Sequence, residues 1–263
     1  MEKTSTELQG KIALVTGATR GIGRAIAGRL AEEGCAVAIC ARDGEAVSRT
    51  VGELEAQGAR SFGQAVDVTD DARLEAFVDA AAEALGGLDC VVANAGGSAG
   101  GDWLQDTPGD DWRRTMELNV VHAAVLIRAA TPHLRGRGGG AALIIASISG
   151  TRPQPKAQYA AAKAAEIHLA ASLGRELGRD GIRVNALSPG SILFEGGSWD
   201  RRRTADPEAF AAFAAREFPA GRLGTVGEVA DAAAFLLSPR ASWINGTELV
   251  VDGAQNQPGM GGW

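Results

Sequence analysis

No stretch of this sequence approaches the roughly 20 consecutive apolar residues that a membrane-spanning helix needs. The opening residues, Met1-Glu-Lys-Thr-Ser-Thr-Glu7, are polar and carry no apolar signal core. A basic excess is missing too: 26 Lys and Arg stand against 32 Asp and Glu, a net charge of −6. Neither a nucleic acid nor a membrane is therefore an expected partner. Cysteine is scarce. Cys35, Cys40 and Cys90 sit in or beside apolar segments without the spacing of a metal site or redox pair. No metal is expected, and the three read as small core residues of a reducing compartment. The expected location is cytoplasmic. No Pro/Gly-rich linker divides the 263 residues, since Arg135-Gly-Arg-Gly-Gly-Gly140 is short and reads as a loop into a strand. One domain is expected.

What the chain does have is alternation. Short apolar runs at 12–16, 36–41, 60–66, 88–93, 141–147, 183–187 and 247–251 read as strands. Several are Val/Ile-rich without polar alternation, as strands buried on both faces should be. Helical patterns near 22–33, 44–57, 70–86, 110–133, 156–179 and 226–238 lie between them. This rhythm predicts right-handed βαβ units and a doubly wound parallel sheet of seven strands flanked by helices. Residues 190–220 break it, mixing Phe194, Trp199, Phe210, Phe213 and Phe218 with charges, and read as a cover over a site or a surface excursion. The tail Gln257–Trp263 is too glycine-rich to fold alone.

After the first strand the chain reads Thr16-Gly17-Ala18-Thr19-Arg20-Gly21-Ile22-Gly23. Glycines in a strand-to-helix turn permit a tight bend and close approach of a pyrophosphate to the positive helix end. The second strand ends Ala41-Arg42-Asp43. An NAD-selective protein usually offers a carboxylate at the place of Ala41, whereas the guanidinium of Arg42, with Arg20, suits a ribose 2′-phosphate. NADP(H) is favoured and NAD(H) possible. Asp43 reads as a helix N-cap. Asp67-Val68 closes the third strand, where a carboxylate accepts from an adenine amino group or starts a helix. Asn94-Ala95-Gly96-Gly97 closes the fourth, where small residues let a dinucleotide lie close.

Chemistry needs more than a nucleotide. Tyr159 and Lys163, four residues apart, fall on one face of a helix. An ammonium nearby favours the phenolate, so the pair reads as a tuned general acid/base. Alone, such spacing also arises in helices that only half-bury a tyrosine beside a solvated lysine. Ser147 ends the fifth strand, facing the crevice where ligands bind, with Ser149 as a rival. Asn119, a polar residue in an apolar helix, holds either a water beside Lys163 or a structural hydrogen bond.

In order and spacing these motifs resemble the short-chain dehydrogenase/reductase family over about residues 8–253. They are TGATRGIG at 16–23, Asp67-Val68, Asn94-Ala95-Gly96, Asn119, Ser147, Tyr159 with Lys163, Asn185, Pro189-Gly190 and Val251-Asp252-Gly253. The resemblance implies a Rossmann fold and an oxidoreductase interconverting a ketone and a secondary alcohol, like the 3-oxoacyl reductases, sugar and hydroxysteroid enzymes of that family. It implies that Ser147 orients the substrate oxygen, Tyr159 transfers the proton, Lys163 also binds the nicotinamide ribose, and Asn119 completes a water-linked relay. Pro189, Gly190 and Ile192 join the cofactor wall, and the assembly is a homotetramer or homodimer. Two departures stand out. Where many members place a threonine on the nicotinamide carboxamide, this chain has Phe194, leaving Ser191 or a backbone group. The stretch from Ser147 to Tyr159 is also one residue shorter than is common, the loss falling in Thr151–Gln158. Arg201-Arg202-Arg203 reads as a solvated run or a seat for an anionic group. The alternative to an enzyme is an inactive dinucleotide-sensing regulator, which would be expected to lose Tyr159 or Lys163.

Overall fold

Ile12–Thr16, all buried, forms β1 and leads through the glycine turn into α1 (Gly21–Glu32). There follow β2 (Ala36–Ala41), α2 (Gly44–Ala56), β3 (Ser61–Ala65), α3 (Asp71–Leu85) and β4 (Cys90–Ala93). The computed structural model describes residues 7–255, so the polar start at 1–6 and the tail at 256–263 lie outside the described residues. The next helical stretch is not the single helix its pattern predicts. It comprises α4 (Gly109–Met116), a wide π turn at Glu117–Val121 and α5 (His122–Gly136). Beyond it lie β5 (Gly140–Ile145), α6 (Ala157–Leu177) and β6 (Ile182–Pro189). The chain closes with β7 (Ile192–Leu193), α7 (Ser198–Ala205), α8 (Pro207–Glu217), β8 (Gly224–Thr225), α9 (Val226–Leu237) and β9 (Glu248–Val251).

The main sheet has seven strands in the order β3-β2-β1-β4-β5-β6-β9, every neighbouring pair parallel. Strand order reverses between β1 and β4, the switch point where open α/β sheets bind ligands. Strand alternation sends Ala13 and Val15 into one apolar layer with α1 and α9, and Ile12 and Leu14 into the other with α3, α5 and α6. Each large apolar side chain buried in these layers, such as Phe77 or Leu126, contributes about 1.5–3 kcal/mol. The cysteines belong here as well. Cys35, Cys40 and Cys90 are unpaired and buried, and burial pushes Cys35 and Cys40 up to about 12. No helix among the described residues is long and apolar enough to cross a membrane.

Beyond β7 the chain makes a small outlying layer. Trp199 of α7 stacks on Phe213 of α8 with ring centroids 4.7 Å apart, and Phe218 meets Phe213 edge-on. The arginine run is engaged locally: Arg201 donates to the Gly196 carbonyl, Arg202 lies over the Trp199 ring, and Arg203 pairs with Asp200. The second reading, an anion seat, has no support in this arrangement.

Candidate active site

A cavity of about 180 Å³ opens at the carboxyl ends of β1, β4, β5 and β6. Side chains from widely separated segments meet there, among them Ile22, Asn94, Ser147, Tyr159 and Lys163, with the backbone of Gly96, Pro189 and Gly190. Gly17, Thr19, Arg20, Gly21, Gly23, Ala41, Arg42, Asp67 and Val68 follow along the same ends of β1, β2 and β3. A larger cavity of about 430 Å³ lies by Gly181, Arg183, Pro239 and Trp243. Its one cation, Arg183, is already held by the carbonyls of Leu236, Leu237 and Ser238, so that cavity offers little chemistry.

The glycine turn fits close packing against Asn94. A Cβ at Gly23 would stand 2.3 Å from Asn94 Nδ2 and 2.5 Å from the Gly17 carbonyl. Asn94 Nδ2 donates to the carbonyls of Thr16 and Gly17, so the amide that fills this space also holds the turn. Arg20 precedes α1 in extended conformation without a side-chain cap, which leaves the leading N–H groups of the helix without a side-chain acceptor. Thr16 is the hub beneath. Its Oγ1 accepts from the backbone N–H of Asn94 and Ala95, and lies 3.0 Å from His122 Nε2 and 3.4 Å from the Val92 carbonyl. The hydroxyl and Nε2 share one hydrogen bond, whose direction follows the imidazole's tautomer.

Beyond the carboxyl ends of β1 and β2, Arg20 and Arg42 are exposed and neither side chain is held by a hydrogen bond or ion pair among the described residues. Asp43 caps α2, accepting from Glu45 N and Ala46 N at 3.0 and 3.1 Å. Asp67 does not cap α3, because Asp70 does so. Asp67 Oδ1 instead accepts from the backbone and hydroxyl of Thr69, which hold its carboxyl below the usual carboxylate range.

At the chemical end, β5 stops at Ile145, two residues short of the expected Ser147. Ser147 Oγ accepts from Ser149 N and caps a short turn, which ends the strand and leaves its own O–H to donate into the cavity. Ser149 donates to Gln154, so the rival hydroxyl is engaged elsewhere. Tyr159 and Lys163 stand on the first turns of α6, whose alanines are strong helix formers. Lys163 Nζ lies 5.5 Å from the Tyr159 ring centre and donates to the Ile145 carbonyl at 2.9 Å.

Asn119 sits in the wide π turn, a distortion that recurs at functional sites. Both amide protons are engaged, by Gly97 O at 2.8 Å and Thr115 O at 2.6 Å, and Oδ1 accepts from Gly97 N. The structural hydrogen bond expected as the alternative is therefore what the side chain makes. Ser191 is buried; its N–H donates to Gln255 Oε1 and its hydroxyl oxygen accepts from Gln255 Nε2, which leaves its own O–H as the group it can offer. Ile192 is buried within β7, and Phe194 lays its ring 3.0 Å from the missing Cβ of Gly21.

The family described as enoyl-(acyl carrier protein) reductase matches residues 17–255. Dehydrogenase/reductase SDR family member 4 of Bos taurus is 36% identical over 247 residues, 94% of this chain and 87% of the bovine one. The chain belongs to the short-chain dehydrogenase/reductase family. A 7α-hydroxysteroid dehydrogenase complexed with NADH and 7-oxo glycochenodeoxycholic acid has the same fold, with 34% identity and a TM-score of 0.89 over 98% of this chain and 99% of that one. L-Sorbose reductase from Gluconobacter frateurii, complexed with NADPH and L-sorbose, gives 31% identity and a TM-score of 0.91 over 97% and 100%.

Within this short-chain dehydrogenase/reductase, three polar residues at the site carry no motif. Gln158, buried at the start of α6, donates to Ser98 Oγ and to the carbonyls of Ala99 and Gly101, fixing the loop after β4. His122, 1% exposed, is pushed down to about 3 by burial, with the Lys163 charge adding to the effect. Glu166, also 1% exposed, stands 2.8 Å from Lys163 Nζ. The signal for Glu166 was a lone carboxylate three residues past Lys163 in an alanine run, and for His122 an imidazole three past Asn119.

Proposed function

We propose that the protein is an NADP-dependent oxidoreductase interconverting a ketone and a secondary alcohol, with Tyr159 as general acid/base. The observation that carries this is the meeting of Ser147, Tyr159 and Lys163 on one cavity beside an uncapped, glycine-cradled helix end. A pyrophosphate is held by the leading N–H groups of α1, the ribose by Lys163 and Tyr159, adenine by Asp67 and Val68. Asn94, Ala95 and Gly96, with Pro189, Gly190 and Ile192, form the wall. Bound nicotinamide supplies hydride in reduction and takes it in oxidation. Ser147 donates its free O–H to the substrate oxygen while Tyr159 gives or takes the proton there. Lys163 holds positive charge beneath the phenol. Asn119 acts by clamping Gly97 and so shaping the cavity wall, rather than by a relay through its amide. Residues 190–220 cover the substrate. The two solved relatives hold a steroid ketone and a keto-sugar, so NADPH oxidation over steroids, keto-sugars, β-ketoesters and quinones is the test. Absence of turnover across that panel, with NADPH still bound, would return the protein to the class of regulators.

Cofactor choice follows from charge. Ala41 offers no carboxylate, Asp43 is tied to α2, and Arg20 with Arg42 meets a 2′-phosphate. Charge-assisted contacts of this kind contribute roughly 1.5–3 kcal/mol each, or one to two decades in kcat/KM for NADPH over NADH. Ala41→Asp with Arg42→Ala is expected to reverse the preference. A wild-type preference for NADH would overturn the assignment.

Assembly follows from the same kinship. The alanine face of α6, where Ala161 and Ala164 are exposed, and exposed Val121 between α4 and α5 allow close helix approach across a twofold axis. A homotetramer with 222 symmetry, or a dimer on that helix pair, is expected. Light scattering at micromolar concentration that gave a monomer mass would exclude both.

A further inference from the structure

Glu166 is the one buried carboxylate next to the proposed chemistry, and that chemistry as described has no task for it. Its neighbours on the sheet-facing side of α6 are Ala162, Ala170 and Gly174, so an apolar residue would suit the surroundings. A carboxylate taken out of water persists only with a partner. The partner Oε2 has is Lys163 Nζ, with which it forms an ion pair at 2.8 Å. Lys163 is 3% exposed and has the complementary problem, since an ammionium without water tends to lose its proton. Along α6 the order is phenol, ammonium, carboxylate, with Tyr159 one turn before Lys163 and Glu166 nearly one turn after.

We propose that Glu166 is a positioning residue for the reaction: its buried carboxylate keeps the Lys163 ammonium charged and seated between Tyr159 and the end of β5. The three groups around Nζ then have separate roles. The Ile145 carbonyl fixes direction, Glu166 fixes charge, and the remaining side faces Tyr159 and the ribose site. Burial pulls Lys163 down, but Glu166 foremost, with Tyr159, outweighs it and holds the lysine above its ordinary value. Burial raises the Glu166 carboxyl while Lys163 opposes that rise. Other charges on elements packed against α6 are those of α4, Glu117 of the π turn, Arg179 and Asp180 of the turn that follows α6, Arg183 of β6 and Glu248 of β9. None of them contributes to either shift. His122 of α5, which feels the Lys163 charge, stays neutral near pH 7.

The inference rests on the acid/base reading of Tyr159 and Lys163, yet its main test needs neither cofactor nor turnover. The chain has four lysines, Lys3, Lys11, Lys156 and Lys163, so side-chain nitrogen NMR of the cofactor-free protein resolves Lys163, assigned from its loss in Lys163→Met. In the wild type its signal is expected to titrate at or above the ordinary lysine value of about 10.4. In Glu166→Gln the midpoint is expected to fall by about one pH unit or more, and in Glu166→Asp to return most of the way. The alkaline limb of kcat/KM should move with it, which a purely structural role would not cause. An unchanged midpoint in Glu166→Gln overturns the inference even if Tyr159 proves essential. A shifted midpoint in a protein without turnover upholds the Glu166 contact and rejects the catalytic reading alone. Should Glu166→Gln fail to fold, a wild-type midpoint well below the ordinary value overturns the inference by itself.

Discussion

Tyr159→Phe is expected to fold, to bind NADPH within a few-fold of wild type, and to lose roughly 10²–10⁴ of kcat, the range positioned acid/base groups supply. The substitution removes one hydroxyl and keeps the ring that lies beside Lys163. No second phenol can take over, because Tyr159 is the only tyrosine in the chain. Lys163→Ala is the contrasting case. It deletes a charge that serves both the phenol and the ribose site, so kcat and cofactor KM should deteriorate together. A phenylalanine variant retaining more than about a tenth of wild-type kcat would mean that another group moves the proton.

Acid is expected to unfold the protein through His122. In the native state burial holds this imidazole down to about 3, whereas in the unfolded chain it titrates near 6.5. The folded pKa is the lower one, so the unfolded state takes up the proton first as pH falls. Stability is complete above about 6.5 and is lost progressively down to about 3, at about 1.4 kcal/mol per pH unit and on the order of 5 kcal/mol in all. Urea midpoints measured between pH 6.5 and 4.5 in the wild type and in His122→Gln give this effect as a difference, because Glu166, whose carboxyl burial raises, titrates in both. His122→Gln should flatten the slope there. Equal slopes in variant and wild type would show that the imidazole titrates alike in both states.

Much of the scaffold was legible because buried parallel strands write themselves as Val/Ile runs. β1 and β2 begin and end where the sequence placed them, and β3, β4, β6 and β9 differ only at their ends. Boundaries failed where a side chain, not hydrophobicity, decides them. Ser147 ends β5 by capping a turn, and an apolar run gives no sign of that. The π turn at Glu117–Val121 was hidden for a similar reason, since one extra residue in a helix scarcely disturbs the apolar spacing; Asn119 was its only trace. Of the site, the motif residues were readable and the groups behind them were not. Glu166, His122 and Gln158 act through burial and through partners distant in sequence, and neither is visible in a linear pattern. Ser191 shows the converse: its place directly after Gly190 was readable, but its engagement by Gln255 depends on the chain's return 64 residues later.

The hydroxyl of Thr16 has one proton and serves the ends of β1 and β4 and the imidazole of α5 at once. Drift at such a position is not independent. Replacing it by valine, nearly the same in shape, would strand two backbone N–H groups and an imidazole nitrogen in the interior. Any lineage that exchanged His122 for an apolar residue would leave the Thr16 hydroxyl to the Val92 carbonyl and the two backbone N–H groups, and so relax the constraint on both. Thr16 and His122 thus form a unit of inheritance, two letters far apart in the sequence that are free to change mainly in concert.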